Sequence, residues 1–348
     1  MAGDAHWMAR AIRLAERGLY GTSPNPRVGC VLVRDGAVVG EGWHRRAGGP
    51  HAEVLALQAA GPNARGATVY VSLEPCAHQG RTGPCSQALI EAGVARVLYA
   101  VPDEGAGQGG AVALEQAGIP CDGGLLEAEA RALNPGYHRR LRGGRPWVRL
   151  KWAQSLDGRS ALADGRSQWI TAAPARRDGQ RWRARSCAVL TGIGTVLADD
   201  PQLNVRLPGC ERQPLRVVLD SALQTPASAR IRGAGCLILH ARPEAPEGVA
   251  VPRTDHGLDL AACLDVLAAH GCQEILIEAG PRLNAAFLRA GLVDELIIYT
   301  APSLLGDGRP AAALGSLPGL DARLGLTVID YRRIGQDSRI MARLGGGL

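Results

Sequence analysis

Pro50-His51-Ala52-Glu53-Val54-Leu55, Leu73-Glu74-Pro75-Cys76 and Pro84-Cys85 are the three stretches that decide how this 348-residue chain reads. One histidine and two cysteines offer one nitrogen and two sulfurs. Zinc takes such ligands in a tetrahedral array, and a catalytic site supplies three and leaves the fourth position to water. Glu53 lies two residues past His51 and is placed beside the metal, as an acid–base group rather than a ligand. A purely structural zinc site would want a fourth protein ligand, for which His78 or His44 could serve, and it would have no use for Glu53. Eight residues, Ala77 to Pro84, separate the two cysteines. A loop of that length still returns the second thiolate if Cys85 opens a helix, and Pro84 suits a first helical turn. A helix start also favours the thiolate form. Cys30, Cys121, Cys187, Cys210, Cys236, Cys263 and Cys272 read as core cysteines.

Around these ligands the first part of the chain alternates helix and strand. Apolar spacing predicts a helix over Ala5–Leu19, strands over Val28–Arg34 and Ala37–Gly42 about the Asp35-Gly36 turn, and a short helix over Ala52–Ala60. A strand over Thr68–Leu73, a helix over Pro84–Ala92 closed by Gly93, a strand over Ala95–Val101 and one more helix–strand step to Cys121 follow. The basic, glycine-rich stretch Tyr137–Pro146 reads as the linker, giving domains over 1–145 and 146–348. Beyond it, strands are predicted at Trp147–Ala153, Ala188–Thr191, Leu215–Leu219, Cys236–His240, Glu274–Ile277 and Glu295–Thr300. Helices are predicted at Ala173–Ala184, Leu258–His270 and Pro281–Ala290. Six strands with interleaved helices imply a mostly parallel open sheet covered on both faces.

Composition narrows the function. Apolar residues make up 46% and charged residues 21%, which excludes disorder. The net charge of +6 fits anionic small substrates, and Lys151 is the only lysine. Aromatics at 4% are too few for the interleaved stacking platform of a nucleic-acid channel. No uninterrupted apolar run long enough for a membrane span or a signal peptide occurs, and nine scattered cysteines do not form a secreted disulfide framework. The expectation is a cytoplasmic protein with a small-molecule substrate, no nucleic acid or membrane partner, and self-association as a dimer or tetramer. In the second half, Thr191-Gly192-Ile193-Gly194-Thr195 and Glu278-Ala279-Gly280-Pro281 each lead from a strand through a glycine turn into a helix, a geometry that suits phosphate.

The H-x-E, P-C and second-cysteine layout is that of zinc-dependent nucleobase deaminases. Pro24-Asn25-Pro26-Arg27-Val28-Gly29, Gly42-Trp43-His44, Ala47 to Glu53 and Leu73 to Cys85, with its internal His78-Gln79-Gly80-Arg81-Thr82, resemble the deaminase half of the bifunctional riboflavin-biosynthesis deaminase/reductase family. Lys151 to Arg159, Ser167 to Thr171, Thr195 to Arg206, Glu278 to Ala286 and Gly291 to Glu295 resemble its reductase half. The resemblance covers nearly the whole chain. It implies an α/β protein with a cytidine-deaminase-like α/β/α layer domain followed by a dihydrofolate-reductase-like α/β domain, with Zn2+ and NADPH as cofactors.

It further implies hydrolytic deamination of 2,5-diamino-6-ribosylamino-4(3H)-pyrimidinone 5′-phosphate, then reduction of the ribosyl to the ribityl chain. Metal ligands would be His51, Cys76 and Cys85, with Glu53 catalytic. Asn25, His44 and Arg81 would line the first pocket. Ala153, Trp169, Thr195, Asp199, Ser221 and Gly280, Pro281, Arg282, Leu283, Asn284, Ala285 and Ala286 would face NADPH. Lys151, Ser167, Arg183, Leu203, Arg206 and Glu278 would face substrate, with Arg183 and Arg206 on its phosphate. Two stretches depart from the family pattern. Pro102–Gly110 is short and lacks an Asn-Pro pair, and Ala279, Arg282 and Asn284 replace smaller or hydroxyl residues. The alternative is a nucleic-acid or free-nucleobase deaminase with a non-catalytic second domain.

Overall fold

The computed structural model describes residues 3–78 and 83–345. The chain divides into two compact units, Met1–Gly144 and Arg145–Leu348. In the first, α1 (Asp4–Glu16), β1 (Gly29–Arg34), β2 (Ala37–Trp43), α2 (Ala52–Ala60), β3 (Thr68–Leu73), α3 (Cys85–Ala92), β4 (Arg96–Val101), α4 (Gly110–Gln116), β5 (Cys121–Gly123), α5 (Glu127–Leu133) and α6 (Pro135–Leu141) follow in order. The sheet runs β2-β1-β3-β4-β5. β1 is antiparallel to both β2 and β3, while β3, β4 and β5 are parallel.

Alternation along the strands builds three layers, because successive side chains leave opposite faces. Val31, Val33, Tyr70, Leu98 and Ala100 pack with Met8, Ala11 and Leu14 of α1. Cys30, Leu32, Val69, Val71 and Val97 pack on the other face with Ala52, Ala56 and Ala60 of α2 and Leu89 of α3. Asp35 and Gly36 close the β1–β2 hairpin at φ of 52° and 76°, as a tight type I′ turn requires.

In the second unit β6 (Trp147–Ser155), β7 (Arg159–Ala161), α7 (Ala173–Arg185), β8 (Ala188–Gly192), α8 (Ile193–Asp199), β9 (Leu215–Leu219) and β10 (Cys236–His240) come first. Short β11 (Val249–Ala250), β12 (Arg253–Thr254) and β13 (Gly257–Leu258) lead to α9 (Leu260–Ala269), β14 (Glu274–Ile277), α10 (Pro281–Arg289) and β15 (Glu295–Ala301). β16 (Arg309–Pro310) and the hairpin β17 (Leu326–Ile334)–β18 (Asp337–Leu344) end the unit. The main sheet runs β11-β10-β9-β8-β14-β6-β15-β18-β17. Its first seven strands are parallel and β18 and β17 are antiparallel additions.

The structure refines one sequence reading and adds an element that the sequence did not show. The first half of the stretch read as a linker is helix: α6 takes Pro135 to Leu141 and buries His138, and the connection is the residues after it, where the two units divide. The β17–β18 hairpin was not anticipated, because β17 has almost no buried face and therefore no alternating apolar signal.

Close approach of α2 to the hairpin depends on glycine. A Cβ at Gly42 would stand 2.5 Å from the Ala52 carbonyl oxygen and 2.7 Å from the Ala56 nitrogen, both main-chain atoms that cannot step aside. Gly42→Ala should therefore lower the unfolding free energy of the first unit by about 1–3 kcal/mol, as overpacking does. The second unit's transition should stay put. Urea unfolding of the whole chain, with zinc content measured alongside, checks this.

Candidate active sites

His51 is the residue that caps the start of α2, and Cys85 is the first residue of α3. Cys76 lies on the turn after β3. The Cys76 carbonyl accepts from the Ser86 main-chain N–H and hydroxyl, each at 3.1 Å, and the Cys85 N–H points at Cys76 Sγ at 3.4 Å. The three ligand atoms lie within 4.8 Å of one another, with His51 Nδ1 3.2 Å from Cys85 Sγ and 3.6 Å from Cys76 Sγ. Among the described residues this is the one such cluster. A nitrogen and two sulfurs converging at this spacing fit zinc, with a position left over. Contact with the Cys85 thiol and then the His51 ring lowers the Cys76 thiol and favours its thiolate.

Glu53 sits in the first turn of α2, 4% exposed, and burial pushes its carboxyl up to about 7. His44 lies edge-on to His51, ring centroids 5.6 Å apart. Its Nδ1 is 2.9 Å from the Pro50 carbonyl, which it meets as a donor, so its Nε2 accepts from the Asn25 amide at 3.1 Å. Burial lowers its pKa and keeps this neutral form. Asn25, His44, His51, Glu53, Cys76 and Cys85 are thus brought together. Arg81 lies outside the described residues. The Asn25 segment is held by Asn134, whose side chain accepts from Arg27 N–H and donates to the Arg27 carbonyl, both at 2.9 Å. The 107-residue separation of the two gave no sequence signal for this clamp.

In the second unit Lys151 of β6, Arg183 of α7 and Glu278, just past β14, form one half-buried charge cluster. Arg183 grips Glu278 with two bonds, Nε to Oε1 at 2.6 Å and Nη2 to Oε2 at 3.0 Å, and its Nη1 reaches the Asn204 carbonyl at 3.2 Å. Lys151 Nζ stands 3.5 Å from Glu278 Oε2. Burial opposes ionisation of Glu278, but Arg183 and Lys151 overcome it and hold the carboxyl down at about 2. Arg183, expected on the substrate phosphate, is engaged within the protein on all three nitrogens. Arg206 is exposed and donates to Asn204 Oδ1 at 3.2 Å.

The strands β8 and β14 are parallel neighbours, so their glycine turns lie side by side. A Cβ at Gly280 would come within 3.8 Å of Thr195 Oγ1, and one at Gly194 would meet nothing within 4 Å. Open space at Gly194, the start of α10 and the exposed Arg282 fit a cofactor phosphate. Leu283 packs toward Gly192, but Asn284 and Ala285 are buried among core residues, and Asn284 donates to the Ala311 carbonyl at 2.8 Å. Their side chains face the protein rather than a ligand. Leu203 likewise buries its side chain, with its main chain at a φ of 50°. Trp169 is 68% exposed with the Arg176 guanidinium 4.6 Å over its ring. Asp199 meets the Gln168 side chain. Ala153 lies on β6, Ser167 precedes Trp169 on the same loop, Ser221 follows β9, and Pro281 and Ala286 are half-buried on α10.

A family model for the RibD C-terminal domain matches residues 146–338, and one for the cytidine and deoxycytidylate deaminase zinc-binding region matches residues 1–101. The chain is 48% identical over 341 residues to the riboflavin biosynthesis protein RibD of Escherichia coli K12, covering 91% of this chain and 92% of that one. The chain belongs to the RibD family. Among solved structures it is similar to Acinetobacter baumannii RibD, with a TM-score of 0.91 and 43% identity over 98% of this chain and 99% of that one. It is also similar to a Thermotoga maritima diaminohydroxyphosphoribosylaminopyrimidine deaminase/5-amino-6-(5-phosphoribosylamino)uracil reductase, with a TM-score of 0.89 and 31% identity over 98% of this chain and 99% of that one. The chain is a bifunctional enzyme of riboflavin biosynthesis, a deaminase and a reductase, with zinc and NADPH as cofactors. Among the described residues no helix is long and apolar enough to cross a membrane.

The Arg183–Glu278 pair has a pH signature. Glu278 is held at about 2 against an ordinary 4.5, so its stabilisation is complete above about pH 5 and is lost as pH falls through 2. Arg183→Ala should cost the second unit about 1.5–3 kcal/mol at neutral pH, by removing the charge-assisted bonds to Glu278 and leaving it Lys151 alone. Unfolding free energies of the two proteins should converge on acidification toward pH 2. A gap unchanged down to pH 3 would count against the pair.

Proposed function

We propose that His51, Cys76 and Cys85 hold the zinc and that Glu53 moves the proton in deamination of 2,5-diamino-6-ribosylamino-4(3H)-pyrimidinone 5′-phosphate. The observation that carries this is the converging nitrogen and two sulfurs with a buried carboxyl beside them, in the first turn of the same helix. Zinc supplies a Lewis acid that brings the acidity of water into the neutral range. Glu53 takes a proton from the attacking water and passes it to the departing amino group. The C–N bond breaks, ammonia leaves and a ring carbonyl forms. Asn25 and the neutral His44 orient the pyrimidine edge.

For the second step the cofactor supplies hydride to the anomeric carbon of the sugar. The C–O bond of the ribose ring opens, and its oxygen needs a proton. Arg183 and Lys151 both pair with Glu278 and favour its ionised form, so we assign Lys151 as the donor. Glu278 and Arg183 fix the Lys151 ammonium, and Arg206 remains the arginine available to the substrate phosphate. Thr195, Gly280 and Arg282 line the NADPH phosphate, and Trp169 offers its exposed face.

The test incubates purified protein with the diaminopyrimidine phosphate, with and without NADPH, and follows both products. Glu53→Ala should retain stoichiometric zinc, lose deamination, and still reduce substrate deaminated beforehand. Loss of zinc from that variant would make Glu53 a ligand and overturn its assigned role.

We further infer that copies of the chain associate, in a reducing cytoplasm. None of the nine cysteines is in a disulfide. The sheet edge β17 exposes Leu326, Val328, Ile329 and Tyr331, whereas the opposite edge is the two-residue β11. Antiparallel pairing of two β17 strands about Tyr331 sets Asp330 opposite Arg332. Tyr331→Lys should lower the mass measured by light scattering, and a monomeric unaltered protein would refute the association.

A further inference from the structure

We propose that Glu74 is a positioning residue for deamination, clamping the Pro102–Gly110 loop onto the Cys76 turn and so fixing the Cys76 ligand. The proposal rests on the zinc reading above and names what holds that site in shape.

Glu74 follows the last residue of β3 and is 8% exposed. Its main-chain N–H donates to the Val101 carbonyl at 2.8 Å, extending the β3–β4 ladder by one step. Its side chain then turns to the segment after β4. One carboxylate oxygen accepts from the Asp103 N–H and the other from the Ala111 N–H, both at 3.0 Å. No cation pairs with Glu74 among the described residues. A buried carboxylate without a counter-ion is costly unless hydrogen bonds satisfy it, and here both partners are main-chain amides at the two ends of one loop.

That loop is the stretch in which the sequence departs from the family pattern, without its Asn-Pro pair. It lies directly against the ligand turn. The Ala77 N–H donates to the Gly107 carbonyl at 2.9 Å. A Cβ at Gly107 would lie 3.3 Å from Cys76 Cβ, and one at Gly110 would lie 1.6 Å from the Pro75 carbonyl oxygen, so only glycine lets the main chains approach this far. Asp103 completes the loop by accepting from Gly105 N–H at 2.8 Å and from the Tyr137 hydroxyl at 3.0 Å. The wall behind Cys76 is therefore held by one carboxylate two residues upstream of the ligand. Cys76 reaches its zinc position only while that wall is seated.

Glu74→Gln tests this in the full, zinc-loaded chain. The amide keeps the shape but turns an NH2 group toward a main-chain donor. Zinc transfer to a chelator should accelerate, and deaminase kcat should fall, each by about tenfold or more, the scale seen when groups that orient metal ligands are removed. KM should move far less than kcat. Reduction of deaminated substrate should be unchanged, and amide exchange over 102–112 should quicken. Wild-type zinc retention and kcat in a variant whose loop exchanges faster would overturn the proposal, leaving Glu74 a mere loop anchor. If the Gln variant does not accumulate, Glu74→Asp, whose shorter carboxylate cannot span both amides, takes its place under the same criteria. Zinc stoichiometry of the unaltered protein is measured alongside. Absence of zinc there would remove the zinc assignment itself, whereas normal zinc with an indifferent Glu74 variant overturns only the positioning role.

Discussion

Two helices begin at one point in the first unit, and everything its site does depends on how closely they come down onto the sheet. α2 is seated by alanines against glycines. Ala52, Ala56 and Ala60 are buried, and Gly40 and Gly42 of β2 lie so near that added Cβ atoms would stand 2.3 and 2.5 Å from carbonyl oxygens of the helix. Larger residues at these places would lift the first turn and take His51 and Glu53 with it. The same shallow seat buries Glu53, and burial lifts its carboxyl into the range where one group can both take and return a proton. Packing and acid–base chemistry have one cause here.

The second unit solves a different problem. Its site lies where parallel strands end and charge must be held out of water. Arg183, Lys151 and Glu278 come from α7, β6 and the end of β14, and none is tolerable alone in that setting. Below them a second buried set, Arg149 with Glu274 and Glu295, ties β6 to β14 and β15. The ion pairs hold the Arg183 and Lys151 side chains in place about Glu278.

These differences explain what the sequence made legible. His51, Glu53, Cys76 and Cys85 could be read because each belongs to a short motif whose chemistry demands those types. Strands such as Leu215–Leu219 and Glu274–Ile277 were placed to the residue, since each carries a short apolar run, Val217–Leu219 and Ile275–Ile277, of the kind buried parallel strands show. The β17–β18 hairpin was invisible because an edge strand with exposed faces carries no period. α6 was hidden by its arginines and glycine. The Arg183–Glu278 pair was not legible, because the two residues stand 95 apart in the sequence and a lone arginine on a helix gives no sign of its partner. Within the contiguous segment expected to face the cofactor, the side chains of Asn284 and Ala285 turn to the core, since a helix alternates its faces.

The long interval between the two cysteines now has a physical account. Cys76 is fixed by its own strand end, by the Ser86 bonds to its carbonyl, and by the loop that follows β4. Cys85 is fixed by opening α3, whose first N–H meets Cys76 Sγ. Each ligand is placed by the element it sits on, so the residues between them need only leave one anchor and return to the other. Lengthening the interval from two residues to eight adds about 1.2 kcal/mol of closure entropy, because that entropy grows only as the logarithm of length. What brings His51, Cys76 and Cys85 together is the meeting of a strand end with two helix starts.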